Sequence, residues 1–232
     1  PHRGIATFTY LLEGMREHSD CMGNHGIVNG GGIQWMKAGN GIIHDEALPS
    51  ELQRSGGTLH GLQFWINLPA ANKAEVPAYL PVQSEEVPEF LLPSEKGKVR
   101  VLVGAYKQLE SPVPAYTEQY LFHLVLNAGS SHKMSMPHHE NAAYLTDGSV
   151  QLDNQVLDGP ELLIFDEEGD ALEIENKGSA PANILLFGGE RYTEPIVAQG
   201  PFVMNTQEEI YKAYLDYRKG RYGTLSYKEY KP

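Results

Sequence analysis

Cysteine is nearly absent. Cys21 is the only one in 232 residues, so no internal disulfide can form and a disulfide-stapled secreted scaffold is excluded. That usage fits a cytoplasmic location. Basic residues are also scarce, with 18 Lys and Arg against 30 Asp and Glu and a formal net charge of −12. Neutralising phosphates needs a basic face, so direct nucleic-acid binding is not expected. Long hydrophobic runs are missing too. Nothing approaches the about 18 consecutive apolar residues of a membrane span, and the first residues lack the basic-then-apolar pattern of a secretion signal. Helical periodicity is hard to find before residue 206.

What remains is a chain that is 41% hydrophobic, with 24 Gly and 15 Pro punctuating short runs of Val, Ile, Phe, Tyr and Thr. Many short strands between turns predict an all-β protein, a sandwich or barrel. Strands are expected at Ile5 to Leu12, Ile33 to Met36, Ile42 to Glu46 and His60 to Leu68, then at Val99 to Val103 and Tyr120 to Leu126. Cys21 to Gly26 and Gly30 to Gly32 read as turns; without a following helix the glycines make no phosphate loop. Between Pro69 and Pro93 stand five prolines. Proline cannot serve a central strand, so this stretch reads as a connection between two halves.

The halves resemble each other. Tyr144-Leu145-Thr146-Asp147-Gly148 echoes Tyr10-Leu11-Leu12-Glu13-Gly14, Gly159 to Phe165 echoes Gly30 to Met36, and Asp170 to Asn176 echoes Gly41 to Ala47. An internal duplication accounts for this, with Glu173 and Glu175 in the places of His44 and Glu46. One helix is predicted, at about 206–219. Thr206-Gln207-Glu208-Glu209 fits a capping box, Ile210, Ala213, Tyr214 and Tyr217 form one apolar stripe, and Gly220 supplies the stop.

Nine histidines are the other unusual feature. His44 and Glu46 lie two apart on a predicted strand and so point to one face. An imidazole and a carboxylate converging inside a barrel suit a divalent first-row metal, although the same spacing occurs on solvated strand faces. His2 precedes the first strand and would sit at a strand mouth, where barrel sites are built. His18 and His25 flank a loop and read as solvated. His60 reads as a core or edge residue, or as a support for a metal ligand. His132, His138 and His139 cluster in the second half, where a further metal site with Glu173 and Glu175 is conceivable. Cys21, with only Arg16 and His18 as basic neighbours, has little support as a nucleophile.

Longer blocks make the resemblance specific. Pro1-His2-Arg3-Gly4, Gly23-Asn24-His25-Gly26, Gln34-Trp35-Met36-Lys37-Ala38-Gly39, Gly41-Ile42-Ile43-His44-Asp45-Glu46, His60 to Pro69 and Gly200-Pro201-Phe202-Val203-Met204-Asn205-Thr206 resemble the pirin family in order along the chain. The resemblance implies a bicupin: two cupin (jelly-roll) barrels in tandem with a short C-terminal helix. It divides the chain into an N-terminal barrel at 1–82, incomplete at its N-terminus and carrying the metal, and a C-terminal barrel at 83–232. It implies His2, His44 and Glu46 as ligands of one divalent ion, Fe(II) foremost, with Mn, Ni, Cu or Zn as alternatives. The family's usual fourth ligand is a His directly before Pro1, and Ala6 stands where the family usually has Glu. The implied activity is a quercetin 2,3-dioxygenase-like oxidation of a small aromatic substrate by O2, with Glu46 as catalytic base and Trp35, His60, Gln63 and Trp65 around the pocket. The other implied role is a metal- or redox-sensing regulator that binds a partner protein, where a −12 chain would favour a basic surface.

Overall fold

Short strands joined by glycine turns dominate the computed structural model, which describes residues 1–136, 140–165, 169 and 171–226. In the first part of the chain the strands are β1 (Ile5–Glu13), β2 (Met15–Asp20), β3 (His25–Asn29), β4 (Ile33–Lys37) and β5 (His44–Ala47). A short helix, α1 (Ser50–Ser55), then precedes β6 (His60–Asn67) and β7 (Ala78–Val82). They form two sheets, in the orders β6-β1-β4-β7 and β3-β2-β5. Strand β1 is buried from Ile5 to Leu11 on both faces, which suits a central strand. The turn into β2 is made by Gly14 at φ 89°, a conformation glycine adopts without steric cost.

The second part contains β8 (Glu89–Leu91), β9 (Gly97–Val103), the short pair β10 (Ala105–Tyr106) and β11 (Leu109–Glu110), β12 (Gln119–Leu126), β13 (Ser131–Ser135) and β14 (Glu140–Asp147). It continues through β15 (Ser149–Leu152), β16 (Gln155–Asp158), β17 (Glu161–Ile164), β18 (Ala171–Glu175) and β19 (Ala182–Gly189). Its sheets run β17-β14-β19-β12-β9-β8 and β13-β18-β15-β16. Val99, Val101, Leu124, Leu126, Met134, Leu145, Val150, Leu172, Ile174 and Ile184 belong to its core. The chain ends on the hairpin β20 (Val197–Gln199) and β21 (Phe202–Met204) and the helix α2 (Gln207–Arg218).

The duplication is visible in the wiring. Strand β1 pairs with β4 and β6, and β2 with β3 and β5. Likewise β14 pairs with β17 and β19, and β15 with β16 and β18. Even the irregularity is shared, since the register shifts between Leu11 and Glu13 in one copy and between Leu145 and Asp147 in the other. The architecture is that of tandem cupin jelly-rolls.

Three expectations change. The chain divides into two compact units, residues 1–86 together with the segment from Thr193 onward, and Val87–Tyr192. The described residues from Thr193 to Ser226 therefore join the first unit rather than the second barrel. The cause is packing: Phe202, Met204, Ile210, Ala213 and Tyr222 form one apolar cluster with Ile43 against it. The proline-rich connection also contributes β7, with Pro81 opposite Gln34; β7 lies at the sheet edge, where a missing N–H breaks no ladder. The helix itself begins as expected, with a complete capping box between Thr206 and Glu209. Its buried face is Ile210, Ala213 and Asp216, whereas Tyr217 is 40% exposed. No helix among the described residues is long and apolar enough to cross a membrane.

Candidate metal centre

Pairing between β2 and β5 sets His18 opposite Glu46 and Asp20 opposite His44. Side chains two apart share a face, so Arg16, His18 and Asp20 stand together with His44 and Glu46. Pairing in the other sheet sets Thr9 beside both Gln34 and Gln63, and Thr7 beside Trp65. Gln63 joins the two sheets, donating from Nε2 to Thr9 Oγ1 at 3.0 Å and to Glu46 Oε2 at 3.1 Å. His2 enters through a backbone bridge to Ile42. Its ring centroid lies 5.1 Å from that of His44, and the edge of Trp65 meets it at 5.0 Å.

Ligand atoms of His18, His44 and Glu46 all fall within 4.8 Å of one another. Burial is the first cause that pulls His44 down to about 4, outweighing the opposite pull of Glu46. Burial likewise lowers His2 and His18, which favours the neutral imidazole, the form that offers a lone pair to a cation. Nδ1 of His44 is buried with no hydrogen-bond partner. His18 stacks on Tyr79 at 4.0 Å and places Nε2 3.2 Å from Asp20 Oδ2. Asp20 is otherwise taken up by the turn, accepting from the backbone N–H groups of Met22 and Asn24. Glu46 Oε2 accepts from Arg16 at 3.0 Å as well as from Gln63, whereas Oε1 takes only a longer bond from Gln63 at 3.4 Å and is the freer oxygen. Neutral imidazoles, a carboxylate and an orphaned buried nitrogen are a donor set that fits a divalent first-row ion.

His2, His44 and Glu46 are thus neighbours, with Gln63 and Trp65 beside them. Trp35 and His60 are not. Trp35 pairs with Phe8 and lies on the face opposite Gln63 and Trp65, buried in the core. His60 begins β6 opposite Glu13, on the same side as Phe64, and is exposed. His18 is the residue that sequence reading misjudged: it is not solvated but 1% exposed. Its signal was there, because His18-Ser19-Asp20 has the same alternate spacing as His44-Asp45-Glu46. His25 is half-buried on β3 and pairs with Glu17 at 2.7 Å.

The second unit offers a direct contrast. Anchored on Gly14 and Gly148, the pair His18 and Glu46 corresponds to Leu152 and Ile174, and His44 to Leu172. Thr9, Gln34 and Gln63 correspond to Ala143, Leu163 and Leu186. Donors in one copy are apolar in the other. Glu173 and Glu175 therefore do not take the places of His44 and Glu46; Leu172 and Ile174 point inward and Glu173 outward. His138 and His139 lie outside the described residues, and His132 bonds to the Tyr106 hydroxyl at 3.1 Å.

A duplicated jelly-roll with donors in one copy defines the class: a bicupin with a single centre of this kind among the described residues. Residues 1–66 match the family described as pirin, and residues 121–223 match the pirin C-terminal cupin domain. Human pirin is 37% identical over 229 residues, covering 96% of this chain and 76% of that protein. The chain belongs to the pirin family. Among solved structures, a quercetin 2,3-dioxygenase from Acinetobacter baumannii superposes with a TM-score of 0.91 at 29% identity, over 97% of this chain and 78% of that one. A bacterial pirin from Escherichia coli in complex with nickel(II) shares the fold, at TM-score 0.63 and 24% identity, over 80% and 72% of the two chains.

Proposed function

We propose that this chain is a pirin-like, metal-dependent dioxygenase acting on flavonol-type substrates with O2. Its ion is held by His2, His44 and Glu46, with His18 facing the same centre across β2 and β5. The observation that carries the reading is the orphaned, buried Nδ1 of His44, gathered within 4.8 Å of donors on His18 and Glu46, with the His2 ring 5.1 Å from its own. A divalent ion bound there supplies Lewis acidity toward the hydroxyl and carbonyl oxygens of the substrate.

The remaining work falls to side chains. Glu46 takes the proton of the flavonol hydroxyl, and Arg16 and Gln63 fix the carboxylate that receives it. Trp65, 48% exposed beside His2, offers a flat aromatic surface to a flat substrate. Thr9 and Gln34 line the polar floor. Cys21 as the lone cysteine supports a cytoplasmic setting.

The test is O2 uptake by Fe(II)-loaded protein given quercetin and related flavonols. Uptake is expected for the unaltered chain and a loss of at least about 100-fold for Glu46→Gln, the scale of removing a general base. Fully loaded protein that consumes no O2 with any flavonol would end the dioxygenase reading. Loading that survives His44→Ala would end the assignment of the ligands.

A further inference from the structure

His2 does not sit on a regular strand. Residues 1–4 are held instead by isolated bridges, His2 to Ile42 on one side and Arg3 to Phe202 on the other. The second grip comes entirely from the C-terminal segment. Pro201 offers its carbonyl to His2 Nδ1 at 3.3 Å, and Val203 N–H donates to the Arg3 carbonyl at 3.1 Å. Arg3 Nη1 donates to Asp216 Oδ2 at 3.0 Å and reaches the Tyr222 hydroxyl at 3.5 Å. Tyr222 in turn donates to the Ala213 carbonyl at 2.9 Å. Lys73 ties the same stretch from a third side, donating to the carbonyls of Gly4 at 2.8 Å and Val203 at 2.9 Å.

Asp216 is the anomaly in this cluster. It occupies the buried face of α2 with Ile210 and Ala213, and it is 4% exposed. An apolar residue of similar volume at such a place is often neutral or stabilising, so helix packing alone gives no reason for a carboxylate. The carboxylate is also firmly ionised, drawn down to about 2 first by Lys212 and further by Arg3 and Arg221. Lys212 and Arg221 are more than half exposed, while the Arg3 side chain is 12% exposed. Arg3 is therefore the partner whose placement depends most on Asp216.

We infer that Asp216 is a positioning residue for the ligand His2. By fixing the Arg3 guanidinium it holds the backbone of residues 2–3 against Pro201 and Val203. That keeps the His2 ring in the tautomer with hydrogen on Nδ1, donated to the Pro201 carbonyl, and leaves Nε2 as the donor for the cation. The inference rests on the reading of His2 as a metal ligand. It adds that the ligand is oriented by the C-terminal segment, through a hydrogen bond between residues 199 positions apart.

The experiment has two arms, using Asp216→Asn, which keeps the size of the side chain and removes its charge. In metal-free protein, long-range ¹H–¹⁵N spectra of His2 should show a single Nδ1–H tautomer in the unaltered chain and a mixture in Asp216→Asn. In the second arm, Ni(II) affinity should fall by roughly 10-fold, the scale of losing an outer partner of a ligand, and the Co(II) absorption spectrum should shift. Tyr211→Ala, on the exposed face of the same helix, should change neither. If Asp216→Asn does not fold, Tyr222→Phe removes the other Arg3 partner and should shift both readouts in the same direction by less. An unchanged tautomer in Asp216→Asn overturns the inference, and so does an equal loss in Tyr211→Ala. If His44→Ala binds Ni(II) as well as the unaltered chain, the metal reading fails instead, and the tautomer arm still decides the role of Asp216.

Discussion

The two tryptophans differ by one step of strand parity. Trp35 faces Phe8 inside the core at 3% exposure, and Trp65 faces the site at 48%. Trp35→Ala should cost about 3–5 kcal/mol in urea unfolding, as large core truncations do. Trp65→Ala should cost under about 1 kcal/mol while raising the KM for a flavonol. A second residue-scale outcome concerns His123 in the second unit, 5% exposed and bonded to Asn183. Burial holds it down to about 4, so the unfolded chain takes up this proton near 6.5 and the folded chain does not. Stability must then rise with pH between about 4 and 6.5 and fall on acidification through that window. Replacing it, as in His123→Asn, should flatten the pH dependence of the unfolding free energy from urea titrations across pH 4.5–6.5 by up to about 1.4 kcal/mol per pH unit.

At this scale much of the site was legible. His44 and Glu46 announce themselves by alternation on one strand. His18 and Asp20 carry the same spacing, but the turn residues from Cys21 onward draw attention away from the strand that ends there. Trp35 and His60 could not be sorted by sequence, because which face a residue takes depends on the partner strand's register. Parity within a strand is local information; parity between strands is not.

Elements show where local chemistry decides and where it does not. The capping box at Thr206 is complete, so its helix was readable from four residues. Thr206→Ala should cost about 1 kcal/mol and, because α2 packs on Phe202 and Met204, should be seen as lost amide protection in β21 as well as in the helix. Gly4 is the opposite case. At φ 81° its added Cβ would fall 1.9 Å from the Val203 carbonyl oxygen, so Gly4→Ala must push β21 from the site's backbone. A loss of at least about 2 kcal/mol is expected, from the strained backbone together with the clash, along with weakened Ni(II) binding in a titration. The fate of the C-terminal segment was not readable, since an amphipathic helix states that it must pack and not on what. The edge strand β7 was hidden by Pro81 within it and Pro77 before it, since proline is excluded from a central strand and permitted in this one.

On the scale of the whole chain, the two units share their strand wiring and differ in what they bury. Six positions that carry Thr9, His18, Gln34, His44, Glu46 and Gln63 in the first carry Ala143, Leu152, Leu163, Leu172, Ile174 and Leu186 in the second. Of these, Leu152, Leu172, Ile174 and Leu186 are large and fully buried, and each such side chain contributes roughly 1.5–3 kcal/mol. Hydrogen exchange should accordingly show the strands from β12 to β19 as the slower-opening unit, by several kcal/mol. Ni(II) at 100 times its Kd should add up to about 2.7 kcal/mol, confined to residues 1–86 and the C-terminal segment. Protection gained equally in both units would contradict a single centre.

The paired copies also set opposite rules for mutational drift. A polar-to-apolar change at one of the six places, such as Gln63→Leu, moves the first copy toward its twin and away from chemistry. The reverse change, such as Leu186→Gln, strands a polar group in a filled core. One backbone plan therefore sits under two selective regimes. Variation among natural sequences at these positions should look like a binding site in one half and like oil in the other.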